Sequence, residues 1–256
     1  MNIFSNILNL LWRLWFYFWV FTTIIITLPI LILVISKESR YPFFYKIAHI
    51  WAKVILFIMG FSPKVYSEEK MLPDQSYVFS PNHTSIVDIM LMLAISKNPF
   101  VFLGKKELAN IPIFGYVYKR TCILVDRNNT KSRNQAFYEA KKRLKNGLSV
   151  CIFPEGKVPD DESIVLDYFH NGAFRLAIEF QIPLVPITFY DCKKRFPFNT
   201  FKGSPGKLRV KIHHFLYTDD LTIKDRNTLK NKTFNIIYEE LKIDLDKKYS
   251  KTFKYS

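Results

Sequence analysis

Residues 77–95 read YVFSPNHTSIVDIMLMLAI. A short run of strand character, Tyr77–Ser80, enters a polar turn, and an apolar stretch of helical length follows over Ile86–Ile95. The turn sets His83 and Asp88 five positions apart. On one regular helix that interval is about 500° of rotation, so the two side chains would share no face. They meet only if His83 precedes the helix and Asp88 stands in its first turn. Ser85-x-x-Asp88 is a capping-box-like helix start that offers this arrangement. Two readings follow: Asp88 serves the helix end alone, or it orients an imidazole base.

Outward from this corner, strands alternate with helices. Further strands are expected at Phe100–Leu103, Cys122–Val125, Ser149–Phe153, Leu184–Phe189 and Leu208–Phe215. Helices are expected at Lys131–Lys145, Gly172–Phe180 and Asp225–Lys247, with Thr130 as N-cap of the first and Gly147 just past its end. The alternation predicts an α/β domain with a largely parallel sheet. In such sheets ligands gather beyond the carboxyl ends of the strands. Three predicted strands run into polar groups there, in "SPNH", "VDR" and "FPEGK".

These exits hold the candidate site. The sequence has no nucleophilic serine in a G-x-S-x-G elbow, no phosphate-binding Walker loop and no metal-ligand spacing. The chemistry left to a His–Asp pair is direct attack by a substrate hydroxyl that His83 deprotonates. Glu155, at the tip of the turn containing Gly156, is read as an acceptor of hydrogen bonds from a polyol. Lys157, Lys105, Lys106 and Arg127 bring cations to the same strand ends, where an anionic head group can bind. His170 is close enough in sequence to line the site. His213 and His214, neighbours on a predicted strand, face opposite sides.

The N-terminus is of another kind. Leu14–Ile35 contains no charged residue and is long enough, at about 33 Å, to cross a hydrocarbon core of roughly 30 Å. Trp12, Trp15, Tyr17 and Trp19 crowd its first half, as interfacial aromatics do. A second apolar stretch, Pro42–Phe61, carries Lys46, His49 and Lys53 as a single polar stripe, the pattern of a helix lying in the membrane interface. Pro29 offers a kink, so the pair either spans the bilayer or dips into one leaflet. Lys37, Arg40, Lys46 and Lys53 follow the apolar run, against Arg13 before it, which puts the body on the cytoplasmic side. The division expected is residues 1–62 as membrane-associated helices and 63–256 as the α/β domain.

The chain's 37 Lys and Arg outnumber its 22 Asp and Glu, for a net charge of +15. The excess favours an anionic partner. Base-stacking aromatics interleaved with the basic runs are missing, which argues against nucleic acid. Three scattered cysteines fit a reducing compartment better than a disulfide framework.

Taken together, these blocks resemble the glycerolipid acyltransferase family, specifically the bacterial 1-acyl-sn-glycerol-3-phosphate (lysophosphatidate) acyltransferases. The H-x4-D block is matched by His83 and Asp88. A basic, glycine-containing block resembles "GKKELANIPIFGYVYKR" with the following "VDR". F-P-E-G is matched at Phe153 to Gly156, and a V-P-x segment appears at Val185-Pro186-Ile187. The resemblance covers about Tyr77 to Phe215.

It implies a mostly parallel mixed sheet flanked by helices, with a membrane-associated helix pair before it. It also implies transfer of a fatty acyl group from an acyl-carrier-protein or CoA thioester to the sn-2 hydroxyl of 1-acyl-sn-glycerol 3-phosphate. His83 and Asp88 would be catalytic. Glu155, Gly156, Lys157, Lys105 and Arg127 would bind substrate, with no metal and no cofactor beyond the thioester co-substrate. The expected location is the cytoplasmic face of a bacterial inner membrane. One departure stands out: Lys157-Val158-Pro159 occupies the place of the family's Thr-Arg-Ser, whose arginine helps hold the substrate phosphate. That leaves open an acyltransferase of the same fold acting on another acceptor, such as glycerol 3-phosphate or a lyso-aminolipid; the remaining alternative is a non-catalytic, membrane-tethered module that binds an anionic ligand.

Overall fold

The computed structural model describes residues 3–159 and 161–252; the outermost residues of both expected domains lie outside the described residues. In chain order the elements are α1 (Ile3–Ile35), α2 (Tyr41–Ile58), β1 (Phe61–Ser67), β2 (Val78–Pro81), α3 (Val87–Ile95), β3 (Phe100–Lys105), α4 (Phe114–Thr121) and β4 (Ile123–Val125). There follow α5 (Thr130–Lys145), β5 (Ser149–Cys151), α6 (Gly172–Phe180), β6 (Leu184–Phe189), α7 (Cys192–Arg195), β7 (Gly206–Ile212) and α8 (Arg226–Thr252). The strands form one sheet in the order β1-β7-β6-β2-β5-β3-β4. Every pairing is parallel except β6 with β7, so the sheet is mixed and mostly parallel as expected.

The central strands explain their own sequences. β2, β5 and β6 are buried along their whole length, and they read as near-continuous apolar runs because helices cover both faces. Phe79, Phe100, Phe174 and Phe189 fill the interior beside them. α3 follows β2 and is apolar nearly all round, since Val87, Leu91 and Met92 are fully enclosed.

Several expectations shift. β1 was not anticipated: it begins at Phe61, the last residue of the expected interfacial stretch, and straddles the expected boundary at residues 62 and 63. It contains Pro63, which an edge strand tolerates because one side has no partner, and it pairs only with β7. The cap of α5 is Asn129, whose Oδ1 accepts from Ser132 N at 3.1 Å, so Thr130 is the first helical residue. β5 stops at Cys151, before the expected Phe153, and α4 was not anticipated. His213 and His214 lie just beyond β7, His213 buried against Thr188 Oγ1 at 2.8 Å and His214 exposed.

The two N-terminal helices are long and apolar enough to cross a membrane, yet both are tied to the α/β body. Near the start of α1, Asn9 Nδ2 donates to Phe201 O at 2.8 Å. Arg13 is buried and donates to the carbonyls of Pro197, Asn199 and Lys202. The sequence read Arg13 as a flanking membrane charge; it is a bracket inside the protein. Just past α1, Glu38 pairs with Lys142 of α5 at 2.8 Å. On α2, Tyr41 and Tyr45 hydroxyls reach Phe100 O and Ser96 O, and His49 Nδ1 lies 2.7 Å from Leu93 O. The expected polar stripe therefore splits: Lys46 and Lys53 face outward and His49 faces the body. What remains outward on both helices is apolar, with Ile26, Leu33 and Phe57 among the most exposed side chains.

Candidate active site

The polypeptide leaving β2 is pinned before it reaches His83. Asn82 is buried and makes a two-way bond with the end of β6: its Nδ2 donates to Phe189 O at 3.1 Å, and its Oδ1 accepts from Phe189 N at 2.7 Å. A side chain that mimics a strand partner stops the turn from drifting. His83 follows on a rigid stem.

Asp88, in the first turn of α3, is fully buried. Its Oδ2 gathers the turn around itself, accepting from Thr84 N at 2.6 Å, Ser85 N at 2.8 Å and His83 Nδ1 at 3.0 Å. The two sequence readings prove to be one arrangement, because the carboxylate organises the helix start and the imidazole together. Ser85 closes the corner from the other side: its hydroxyl donates to Phe196 O at 2.6 Å and accepts from Val87 N.

The tautomer of His83 follows from its partner. A carboxylate can only accept, so Nδ1 carries the proton and Nε2 keeps its lone pair. The ring lies over Phe153 at 4.1 Å, nearly parallel. Its side chain is 19% exposed, while that of Asp88 is closed to solvent. Such a pair presents one basic nitrogen to a ligand and hides the charge that orients it. Behind Asp88 sits the buried Cys192, whose thiol is held protonated by burial and by the Asp88 charge.

Glu155 departs from its expected role. It is 2% exposed, and both oxygens are engaged by backbone: Oε1 accepts from His83 N at 2.6 Å and Oε2 from Asp167 N at 2.9 Å. Burial raises its pKa to about 8 against those two donors. It braces His83 from within and has no free face for a polyol.

Gly156 has φ +77°, the left-handed region that suits glycine. A Cβ there would come within 2.9 Å of His170 Cδ2 and 3.6 Å of Arg127 Nη1. The imidazole and the guanidinium thus converge over this one glycine. Desolvation lowers the pKa of Arg127, and Tyr118 and Glu107 oppose that shift. Lys105 ends β3 opposite Val125 of β4, two residues before Arg127. Lys157 is exposed on the turn after Gly156. Along the sheet edge, His83 exits β2, the Glu155 turn exits β5, Lys105 ends β3 and Arg127 follows β4, on four adjacent strands.

The family model described as Acyltransferase matches residues 62–190, a span that begins in β1 and ends just past β6 and so encloses this whole edge. The chain belongs to the acyltransferase family. Among curated relatives of this acyltransferase, the putative 1-acyl-sn-glycerol-3-phosphate acyltransferase acl-2 of Caenorhabditis elegans is 28% identical over 72% of this chain and 67% of its own. The chloroplastic 1-acyl-sn-glycerol-3-phosphate acyltransferase LPAT1 of Arabidopsis thaliana is 30% identical over 68% of this chain and 49% of its own. The chain thus spans about two thirds of the first relative's length and about half of the second's. The fold is that of the 1-acyl-sn-glycerophosphate acyltransferase PlsC from Thermotoga maritima, with a TM-score of 0.77 at 22% identity over 93% of this chain and 96% of that one.

Of the residues that shape this site, Asn82 went unread in the sequence, and Ser85 and His170 were read without their partners. Asn82 was visible only as a turn residue and Ser85 only as a helix start, since their partners, Phe189 and Phe196, lie 107 and 111 positions away. His170 was placed near the site without a partner; its approach to Arg127 depends on the long loop between β5 and α6.

Proposed function

We propose that this acyltransferase moves a fatty acyl group from a thioester of acyl-carrier protein or CoA to the sn-2 hydroxyl of 1-acyl-sn-glycerol 3-phosphate, forming phosphatidic acid. One observation carries the reading: His83 Nδ1 is bound to the buried Asp88, which leaves Nε2 with its lone pair on a side chain that is 19% exposed.

In this scheme Nε2 removes the proton from the acceptor hydroxyl. The oxygen attacks the thioester carbonyl, the C–O bond forms, and the tetrahedral intermediate collapses with loss of the C–S bond. The departing thiolate takes the proton back from the imidazolium, which Asp88 has stabilised meanwhile. No cofactor enters, because the thioester brings its own activation. Arg127, His170 and Lys105 would receive the acceptor phosphate in place of the arginine missing at Val158. The relatives named as 1-acyl-sn-glycerol-3-phosphate acyltransferases support this acceptor.

The outward apolar faces of α1 and α2 support membrane attachment. The ties at Arg13, Glu38, Tyr41 and Tyr45 favour helices that lie along the body in one leaflet over helices that cross. A net charge of +15 suits an anionic leaflet, as expected for the cytoplasmic face of a bacterial membrane. It equally suits an acidic carrier protein as donor.

The departure at Lys157-Val158-Pro159 supports a second reading, in which the same chemistry serves another acceptor, such as glycerol 3-phosphate or a lyso-aminolipid. The test is acceptor competition with the purified enzyme in mixed micelles, using both donors and identifying products by mass spectrometry. Preferential consumption of the lysophosphatidate supports the first reading, and preference for another acceptor replaces it with the second.

A further inference from the structure

The block between β3 and β4 holds more apolar surface than a cation-bearing loop requires. Leu108, Ile111, Ile113 and Tyr116 all project outward, with Ile111 46% and Ile113 37% exposed. Ile113 has φ +62°, a conformation costly for a β-branched residue. The surrounding turn is tightly built: Gly115 N donates to Ile111 O at 2.7 Å, and a Cβ on Gly115 would sit 2.2 Å from Ala109 O. This tip is therefore held out by its own backbone.

Charge surrounds it. Lys105, Lys106, Lys119 and Arg120 are exposed on either side, and the Arg120 guanidinium lies 3.8 Å from the Tyr116 ring centroid. α4 also packs against α1, the helix whose exposed side chains include Ile26, Ile30 and Leu33. Two elements with exposed apolar side chains, from separate parts of the chain, thus lie side by side, with cations at the rim of one. Apolar side chains at the acyl boundary with basic ones at the phosphates is the composition that binds an anionic lipid surface.

We infer that residues 106–120 form a second membrane-contacting element, which rests in the headgroup layer of an anionic bilayer beside α1. The inference rests on the membrane attachment proposed above and extends it to the acceptor's route. Tyr118 of this element donates to Lys105 O at 3.2 Å, next to the strand ends that carry Lys105 and Arg127. An acceptor leaving the bilayer beside α4 would reach those cations without crossing open water.

The test uses the full chain in nanodiscs of phosphatidylcholine alone or mixed with phosphatidylglycerol. Amide hydrogen exchange over 106–120 is expected to slow in the anionic discs relative to the neutral ones. On vesicles, Ile113→Gln and, separately, Ile111→Gln should raise KM for long-chain lysophosphatidate several-fold while kcat for a water-soluble short-chain acceptor stays unchanged. Both positions are exposed, so neither change threatens the core, and unchanged short-chain kcat confirms that the variants fold. Equal exchange in both discs, or unaltered KM in both variants, overturns the inference. So does protection of this segment that appears only on adding acyl-carrier protein, which would make it a protein-docking surface. Failure of the wild-type chain to bind vesicles at all would instead defeat the membrane attachment on which the inference rests.

Discussion

The buried carboxyl group of Glu155 accepts the backbone N–H of His83 at 2.6 Å, across 72 residues of sequence. This bond joins the F-P-E-G turn to the H-x4-D corner and places the proposed base from below. A buried acid in such a position has a pH signature. Its pKa rises from 4.5 to about 8, chiefly by desolvation. The folded state therefore binds this proton more tightly than the unfolded chain does. Stability is highest below about pH 4.5 as far as this group is concerned, and it declines as pH rises towards 8. Glu155→Gln removes the titration but leaves one of the two N–H donors poorly matched, at a cost of about 1–3 kcal/mol. Denaturant unfolding at several pH values should show the variant less stable than wild type near pH 5. The gap should narrow or reverse by pH 8.

Asp88→Asn tests the orientation of the base. An amide with its oxygen at the Oδ2 position can still accept from Thr84, Ser85 and His83, but it carries no charge to stabilise an imidazolium, and the flipped amide would set its NH2 against all three donors. Loss of the correct tautomer in a related His–carboxylate arrangement costs about 10⁴ in kcat. A fall of roughly 10²–10⁴ in kcat with little change in KM is expected from steady-state assays, and the folded fraction should remain high.

Arg127 and His170 converge over Gly156, and the proposed phosphate contacts there should appear in KM. Removal of one charge-assisted hydrogen bond is worth about 1.5–3 kcal/mol. Arg127→Ala is expected to raise acceptor KM roughly ten- to a hundredfold and to leave donor KM nearly unchanged. Gly156→Ala combines a strained φ with a methyl against the His170 ring and should raise the same KM. Initial-rate measurements at varied acceptor and fixed donor separate these effects.

Arg13 reaches the carbonyls of Pro197, Asn199 and Lys202, and its guanidinium lies 4.5 Å from the centroid of the Phe196 ring. The Phe196 carbonyl in turn receives the Ser85 hydroxyl of the β2–α3 corner. Arg13→Met strands several acceptors and should cost about 2–4 kcal/mol. Thermal unfolding in detergent should register it as a clear fall in Tm, whereas Lys46→Met on the outward face of α2 should have little effect.

The contrast between these sites explains what could be read in the sequence. The β2–α3 corner was legible because its partners are local: Thr84, Ser85 and His83 all bond to Asp88 within five positions. The central strands were legible because burial on both faces leaves mostly apolar residues. β1 was hidden, since an edge strand with Pro63 and mostly exposed side chains carries no such run. The inward turn of Glu155 and the bracket at Arg13 depend on backbone groups far away in sequence, so neither a local spacing nor a periodicity encodes them. A charged residue beside an apolar run reads as a membrane flank until its carbonyl partners are seen.

The central claim is that His83 takes the proton from the acceptor hydroxyl. The most direct measurement is turnover of lysophosphatidate and acyl thioester by purified His83→Ala, with folding checked by Tm. A fall in kcat of at least about 10² is expected, with acceptor binding largely retained. Near-wild-type turnover by the folded variant would contradict it.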